Sequence, residues 1–419
     1  MNEKIIIAGL ELPDTNIAYA MDELKSLVVA NNMEVCGELI QKIERPNPAT
    51  YFGKGKVDDL TTLAAAKKVN TIVLNDEISP SQLSNLEKAT GLHFIDRTGL
   101  ILEIFANRAH SKEAKLQVEL AKLQYQLPRL RTVSTQRLDQ QTAGNTGGGF
   151  TNRGSGETKL ELNRRTVRNK INHINKELKE METSAAVQRN RRDKKDIPSV
   201  ALVGYTNTGK STTMNGLVSM FGRNEEKQVF EKDMLFATLD TSVRQLTFND
   251  QKELLLSDTV GFVSNLPHQL IKAFRSTLSE AAQADLLVQV IDISNPHYKE
   301  MMKTTEDTLN EIGVTDIPMI YAFNKADLAK IDYPTLDGQE LTYSAKQMQS
   351  LEMLTSIIKK HVFKNYVEAT FLIPFNEGQI IDFLNDNANV KKTDYTENGT
   401  KITVELKEKD FNRFEKYAI

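Results

Sequence analysis

A single cysteine, Cys36, stands in a chain of 419 residues, which excludes an internal disulfide and any zinc cage built from cysteines. The six histidines, His93, His110, His173, His268, His297 and His361, are scattered without the spacing of a metal site and read as structural or surface residues. No run of about 18 apolar residues occurs, so no membrane-spanning helix is expected. Met1-Asn2-Glu3-Lys4 leads straight into an apolar, strand-like segment, without the basic lead and long apolar stretch of a secretory signal. No internal repeat is found. These absences together point to a reducing cytoplasm.

What is present describes a folded chain: 40% hydrophobic and 26% charged residues match soluble globular proteins and argue against disorder, and the length suggests about three domains. The net charge of -3 hides a segregation. Residues 108–195 hold 20 Lys+Arg against 9 Asp+Glu, while the rest of the chain holds 33 against 47. A basic segment in an otherwise acidic chain suits a polyanionic partner, nucleic acid first. A solvated helical surface would carry the same charge, and charge alone does not separate the two.

Along the chain the hydrophobic period changes three times. Up to about residue 107, strand-like stretches (Ile5 to Ala8, Glu34 to Ile43, Thr71 to Leu74, His93 to Ile95) alternate with helix-like ones (Ile17 to Ala30, Val57 to Lys68, Pro80 to Ala89, Leu100 to Ala106), the rhythm of a small parallel α/β unit. From about Ala109 to Arg192 a heptad-like seam takes over. It runs through Leu116, Leu120, Leu123, Leu127 and Leu130, then Leu160, Val167, Ile171, Ile174, Leu178 and Met181. Two long helices can bury such stripes by packing as an antiparallel hairpin, with Pro128 expected to kink or end the first. Their connection, about Asp139 to Gly156, contains Gly144, Gly147, Gly148, Gly149, Gly154 and Gly156 and is expected to be mobile when unbound. A second α/β alternation begins at Ser199. After Lys364 the pattern reads strand, helix, strand, strand, helix, with Asn398-Gly399 as the turn between the later strands.

The second alternation carries the chemistry. The apolar strand Val200 to Val203 leads into Gly204-Tyr205-Thr206-Asn207-Thr208-Gly209-Lys210-Ser211, the P-loop pattern. Its glycines let backbone N–H groups wrap phosphates at a helix N-terminus, Lys210 would bridge the β- and γ-phosphates, and the Ser211 hydroxyl would ligate Mg2+. The strand Leu254 to Leu256 precedes Asp258-Thr259-Val260-Gly261, where the carboxylate would reach the metal and the glycine N–H the γ-phosphate. The strand Met319 to Phe323 ends in Asn324-Lys325-Ala326-Asp327. Asp327 can accept both guanine N–H donors, a pair adenine does not offer, while Asn324 braces the loop and O6. Ser344-Ala345-Lys346 follows as a backbone contact for O6. Between these elements Phe236-Ala237-Thr238-Leu239-Asp240 reads as a first switch, with Thr238 closing over Mg2+ when a γ-phosphate is present and Thr241 as its rival. Lys210, Thr238 and Gly261 form the expected catalytic set, and Ser211 and Thr238 the metal ligands. Phe262 stands where many regulatory GTPases carry the glutamine that orients water, so intrinsic turnover is expected to be slow. Asn207 occupies the position at which some GTPases support a potassium ion, a reading that equal hydrolysis rates in sodium and potassium would reject.

The fold class expected is therefore α/β and multidomain. A P-loop GTPase domain (197–364) is preceded by a small parallel α/β domain (1–108) and a long helical hairpin (109–196), and followed by a small α+β domain (365–419). In this order the whole chain resembles the HflX family of ribosome-associated GTPases. Residues Arg153-Gly154-Ser155-Gly156-Glu157-Thr158-Lys159-Leu160-Glu161-Leu162-Asn163-Arg164-Arg165 resemble the family's RGPGExxLExDRR signature. Ser155 replaces its proline and Asn163 its aspartate, so a less rigid loop and one missing ion pair are expected. The resemblance implies a GTP form that binds the large ribosomal subunit and its RNA, with the hairpin reaching toward the peptidyl transferase centre. It implies splitting of stalled or dormant ribosomes under stress. A monomer is expected. Arg129, Arg131, Arg137, Arg153, Arg164, Arg165 and Arg168 are the first RNA contacts expected. The alternatives are a large-subunit assembly GTPase and an RNA-remodelling ATPase with GTP as regulator. For the latter, Gly53-Lys54-Gly55-Lys56 is the candidate phosphate loop, against a plain glycine turn and helix start.

Overall fold

The computed structural model describes residues 3–13, 16–142, 152–193, 197–222, 235–236, 242–264, 266 and 279–419, with the backbone alone for 131–142, 152–160, 185–193 and 279–280. At the N-terminus, β1 (Glu3–Glu11), β2 (Met33–Lys42), β3 (Thr71–Leu74) and β4 (His93–Ile95) pair in parallel in the order β2-β1-β3-β4. Parallel neighbours need crossover helices, here α1 (Ile17–Ala30), α2 (Lys54–Lys67) and α3 (Pro80–Thr90), and α4 (Arg97–Arg108) follows the last strand. Helices on both faces explain why Ile5, Ile6, Ile7 and Ala8 are all fully buried. Two caps set the helix starts. Ser79 and Gln82 form a reciprocal capping box at α3, and the Asp96 carboxylate accepts from the Gly99 N–H, 2.8 Å, at α4. Gly53 is the N-cap of α2, its N–H donated to Gln41 Oε1 at 3.0 Å, so Gly53-Lys54-Gly55-Lys56 forms a turn and helix start.

Next come α5 (Lys112–Thr142) and α6 (Asn152–Asp193). Lys112 at the start of α5 pairs with Glu177 late in α6, 3.1 Å, so the two run antiparallel, and Ala114, Val118, Leu120, Ala121 and Ile174 are buried. Pro128 lies inside α5 and does not end it. It is exposed, and the packed turns before it, with Ala114, Val118, Leu120 and Ala121 buried, offset the lost backbone hydrogen bond. Gly154 and Gly156 belong to α6 and not to a loop. The connection thus shortens to 143–151, and Gly144, Gly147, Gly148 and Gly149 lie outside the described residues. Arg129 is a second correction: it is held inside the protein by Asp96 at 2.7 Å and the Ile78 carbonyl at 3.2 Å, which removes it from the expected RNA contacts. Arg165 and Arg168 are exposed and Arg164 half-buried; the side chains of Arg131, Arg137 and Arg153 lie outside the described residues.

The third unit is a seven-stranded sheet in the order β10-β11-β9-β8-β5-β7-β6. Its strands are β5 (Ser199–Val203), β6 (Ser242–Thr247), β7 (Glu253–Asp258), β8 (Leu286–Asp292), β9 (Met319–Asn324), β10 (Thr335–Asp337) and β11 (Glu340–Thr342). Neighbours are parallel except the two edge pairs, β6 with β7 and β10 with β11. The helices are α7 (Lys210–Phe221), α8 (Ser279–Ala282), α9 (Tyr298–Glu311), α10 (Ala326–Ala329) and α11 (Met348–Val362). Because β5, β7 and β9 run the same way, their carboxyl ends bring residue 204 onward, Asp258 and Asn324 to one edge, the edge at which open α/β sheets take ligands. Register fixes the detail: Leu202 lies opposite Asp258, and Asp292 opposite Asn324.

The chain ends in β12 (Tyr366–Ile373), α12 (Gly378–Asn387), β13 (Asn389–Thr396), β14 (Gly399–Lys407) and α13 (Glu408–Phe414), with an antiparallel sheet in the order β12-β14-β13. Gly399 turns the hairpin at φ +142°, where an added Cβ would stand 2.3 Å from the Ile373 carbonyl. The first and third units share one hydrophobic cluster, in which Leu24, Ile104 and Phe105 meet Tyr205, Phe236 and Phe262.

Candidate nucleotide-binding site

The loop after β5 has a shape only glycine permits at two points. Gly204 sits at φ +144° with an added Cβ 2.3 Å from the Val290 carbonyl, and Gly209 at φ +94° with one 2.2 Å from Asn324 Nδ2. Asn207, at φ +62°, forms the exposed crest. Thr208 donates to the Tyr205 carbonyl at 3.0 Å. The Thr206 hydroxyl is buried with no hydrogen-bond partner among the described residues, which a ligand in the loop would remedy. Directly behind the loop α7 begins, so its first N–H groups and positive dipole end face the same space.

Lys210, 6% exposed, donates Nζ to the carbonyls of Gly204 at 3.0 Å and Tyr205 at 2.6 Å. Burial pulls its pKa down to about 8, against a smaller upward pull from Asp258. Phosphates above the loop would restore the charged form, so above pH 8 the lysine must take up a proton as they bind. Affinity is then full below about 8 and falls as pH rises. We predict a Kd for GDP, without added metal, that rises about tenfold from pH 7 to pH 9. Calorimetry in buffers of different ionisation enthalpy checks this, and binding without proton uptake at pH 9 would contradict it.

At the end of β7 the Asp258 carboxylate, fully buried, accepts from the Ser211 hydroxyl at 2.7 Å. A hydroxyl and a carboxylate together make the hard-oxygen donor set that suits Mg2+, so these residues fit that ion. Among the described residues no group of three or more His, Cys, Asp or Glu has metal-ligand geometry. Thr259 bonds back to the Leu202 carbonyl at 2.8 Å. Gly261 presses on the loop: an added Cβ would meet the Thr206 Cα at 2.8 Å and Lys210 Nζ at 3.0 Å. Phe262 is buried, donating its N–H to the Gly204 carbonyl at 3.1 Å and accepting from the Thr206 N–H at 2.8 Å. Its ring therefore anchors the segment in the core. Phe236 is buried at φ +54°, while Ala237, Thr238, Leu239, Asp240 and the rival Thr241 lie outside the described residues.

At the far end the Asn324 amide links two loops, Nδ2 donating to the Thr208 carbonyl at 2.8 Å and Oδ1 accepting from the Ala345 N–H at 2.9 Å. It braces two loops, as expected, and its second Nδ2 hydrogen remains for guanine O6. The Ser344 N–H goes to Ser350 Oγ at 3.2 Å. Lys325, at φ +63°, pairs with Asp292 at 2.7 Å, and Ala326 is buried beneath it. Asp327 stands half-buried in the first turn of α10. Sequence reasoning missed the residues that hold Tyr205 of the loop, Tyr19 and Glu23 of the first unit and Ser264, and Arg97, which bonds Glu23 and Ser264. The available signal was Glu23 among the buried Met21, Leu24, Leu27 and Val28 of α1.

Comparison with known proteins then decides the family. The family models described as GTP-binding GTPase N-terminal, GTP-binding GTPase Middle Region and 50S ribosome-binding GTPase match residues 18–106, 108–192 and 199–325. A protein of Caldanaerobacter subterraneus subsp. tengcongensis described as GTPase HflX is 40% identical over 409 residues, covering 97% of this chain and 92% of that protein. The chain belongs to the HflX family of GTPases. Escherichia coli K12 GTPase HflX is 36% identical over 366 residues, 86% of this chain and 83% of its own. A GTP-binding protein from Sulfolobus solfataricus, solved in complex with GDP, is 25% identical with a TM-score of 0.44, covering 86% of this chain and 99% of that one. As an HflX-family protein with a P-loop GTPase domain, the chain binds and hydrolyses GTP. The expected multidomain α/β architecture holds, and no helix among the described residues is long and apolar enough to cross a membrane.

Proposed function

We propose that this HflX-family GTPase binds the large ribosomal subunit in its GTP form and splits stalled or dormant ribosomes into subunits under stress, acting as a cytoplasmic monomer. The observation that carries the reading is the joining of a guanine-nucleotide site to a long basic hairpin. Exposed on α6 are Arg165, Arg168, Lys170, Lys176 and Lys179, which suit RNA met through its phosphates and shape.

In this reading the Gly204 to Ser211 backbone and Lys210 hold the phosphates, Asp327 and the Ser344-Ala345-Lys346 backbone hold guanine, and Asn324 keeps the two loops together. Ser211 and Thr238 would ligate Mg2+, with Asp258 behind Ser211, and the ion when bound neutralises phosphate charge. Gly261 meets the γ-phosphate. Since Phe262 is in the core and cannot orient water, turnover is slow until a partner orders the switches, and hydrolysis releases the bound state.

Sedimentation of intact ribosomes with the protein and GTP, a non-hydrolysable analogue or GDP tests the proposal. Separation into subunits with GTP or the analogue, and not with GDP, is expected. Ribosomes unchanged under all three would refute it, and binding restricted to immature large subunits would favour the assembly reading.

A further inference from the structure

One helix of the N-terminal unit touches the GTPase domain at two points: Phe236, where the first switch is expected to begin, and Ser264, in the segment after Gly261 that would act as the second switch. At its start, Arg97 Nη2 donates to the Ser264 carbonyl at 2.9 Å and to Glu23 Oε2 at 2.5 Å, while Nη1 donates to Asn75 Oδ1 at 3.2 Å. Ser264 lies three residues after Gly261. Its N–H donates to the Tyr205 phenol oxygen at 2.6 Å, and its hydroxyl shares a second bond with that oxygen at 2.7 Å. Tyr205 in turn donates to Glu23 Oε1. Arg97 and Tyr205 are each 2% exposed and Glu23 7%. Asn75 follows directly on β3, so the knot reaches the carboxyl end of the sheet beside β1 and β3, where the strand order reverses. At the other end of the same helix Arg108 donates to the Phe236 carbonyl at 3.3 Å, and the Phe105 ring meets Phe236 edge to face, centroids 4.5 Å apart.

The helix is also locked to the hairpin. Asp96, its N-cap, accepts from the Tyr125 hydroxyl at 2.5 Å and from Arg129 at 2.7 Å, both on α5, and only Ala109, His110 and Ser111 separate α4 from α5. A shift of the segment after Gly261 must therefore break the bonds to Ser264 or carry α4 with it. Breaking them unsettles a buried ion pair, which is far costlier than a small rigid shift of a packed helix.

From this geometry we infer that α4 is a strut that transmits the nucleotide state of both switches to the helical hairpin, with Arg97 and Glu23 as positioning residues for the segment after Gly261 and Asp96 as the joint to α5. The inference rests on the GTPase activity alone and needs no ribosome, so its fate is independent of the splitting proposal. Hydrogen exchange of the full chain loaded with GDP or with a non-hydrolysable GTP analogue reads it directly. In the parent chain, exchange in 112–130 differs between the two nucleotides by about threefold or more, alongside a change at 258–264. In a paired Arg97→Met, Glu23→Gln variant, which leaves no buried charge alone, the change at 258–264 stays and that at 112–130 falls below about 1.5-fold. A paired Asp96→Asn, Arg129→Met variant gives the same loss from the other end. A purely structural contact would alter exchange equally with both nucleotides and leave the difference intact, which overturns the strut. So does a parent chain in which 112–130 ignores the nucleotide; if 258–264 is silent too, the nucleotide switch itself falls with it.

Discussion

Asparagine in place of Asp327 is expected to weaken GTP binding by about a thousandfold or more and to make XTP the preferred nucleotide. The carboxylate only accepts hydrogen bonds, and guanine offers it two donors on one edge. An amide keeps one acceptor but turns a donor toward the guanine 2-amino group, whereas xanthine carries an oxygen there. The position is rigid enough for the exchange to be read cleanly: Asn324 is tied at both ends of its amide to Thr208 and Ala345, so the loop bearing Asp327 is braced independently of the substituted side chain. Competition of GTP, XTP and ATP against a fluorescent guanine nucleotide measures the switch. Unchanged GTP affinity would remove Asp327 from the site.

Lys210→Ala is expected to lower kcat/KM for GTP by about a hundredfold or more, with little change in the melting temperature of the empty protein. The two effects have one cause. In the empty loop the lysine is buried and its charged form disfavoured, with the pKa pulled down to about 8. Losing it removes a costly charge together with two hydrogen bonds to loop carbonyls, and these changes oppose each other. Triphosphate binding enjoys no such cancellation, because Lys210 Nζ stands beside Gly261, 3.0 Å from where a Cβ would lie, and its charge is what the phosphates would meet there. Single-turnover hydrolysis and thermal melting of the same preparations check both halves. Full activity in the variant would contradict the assignment.

Much of this molecule is legible locally. The apolar runs Ile5 to Ala8 and Val200 to Val203 read as doubly buried parallel strands because burial on both faces leaves no alternation. Gly204 and Gly209 mark a phosphate loop because their backbone angles and crowding admit no side chain. Helix ends in the hairpin were harder. Glycine and proline argue for a break, yet α5 passes through Pro128 and α6 contains Gly154 and Gly156; neighbouring turns override a local preference worth about 1 kcal/mol for glycine and about 3 kcal/mol for proline. Geometry alone showed that Arg129 faces Asp96 and that the Asn324 amide ties the Thr208 and Ala345 loops together. The knot around Ser264 was invisible in sequence. Arg97 and Glu23 are 74 residues apart, and Tyr205 and Glu23 182, and no periodicity encodes such pairings.

The most direct measurement is the equilibrium affinity of the full chain for purified large ribosomal subunits when loaded with a non-hydrolysable GTP analogue, with GDP, or in the presence of the matching ATP analogue alone. Binding at least about tenfold tighter with the GTP analogue than with either of the others is the predicted result. Equal affinity in all three states would contradict a pocket that reads guanine and triphosphate and passes the reading to the hairpin.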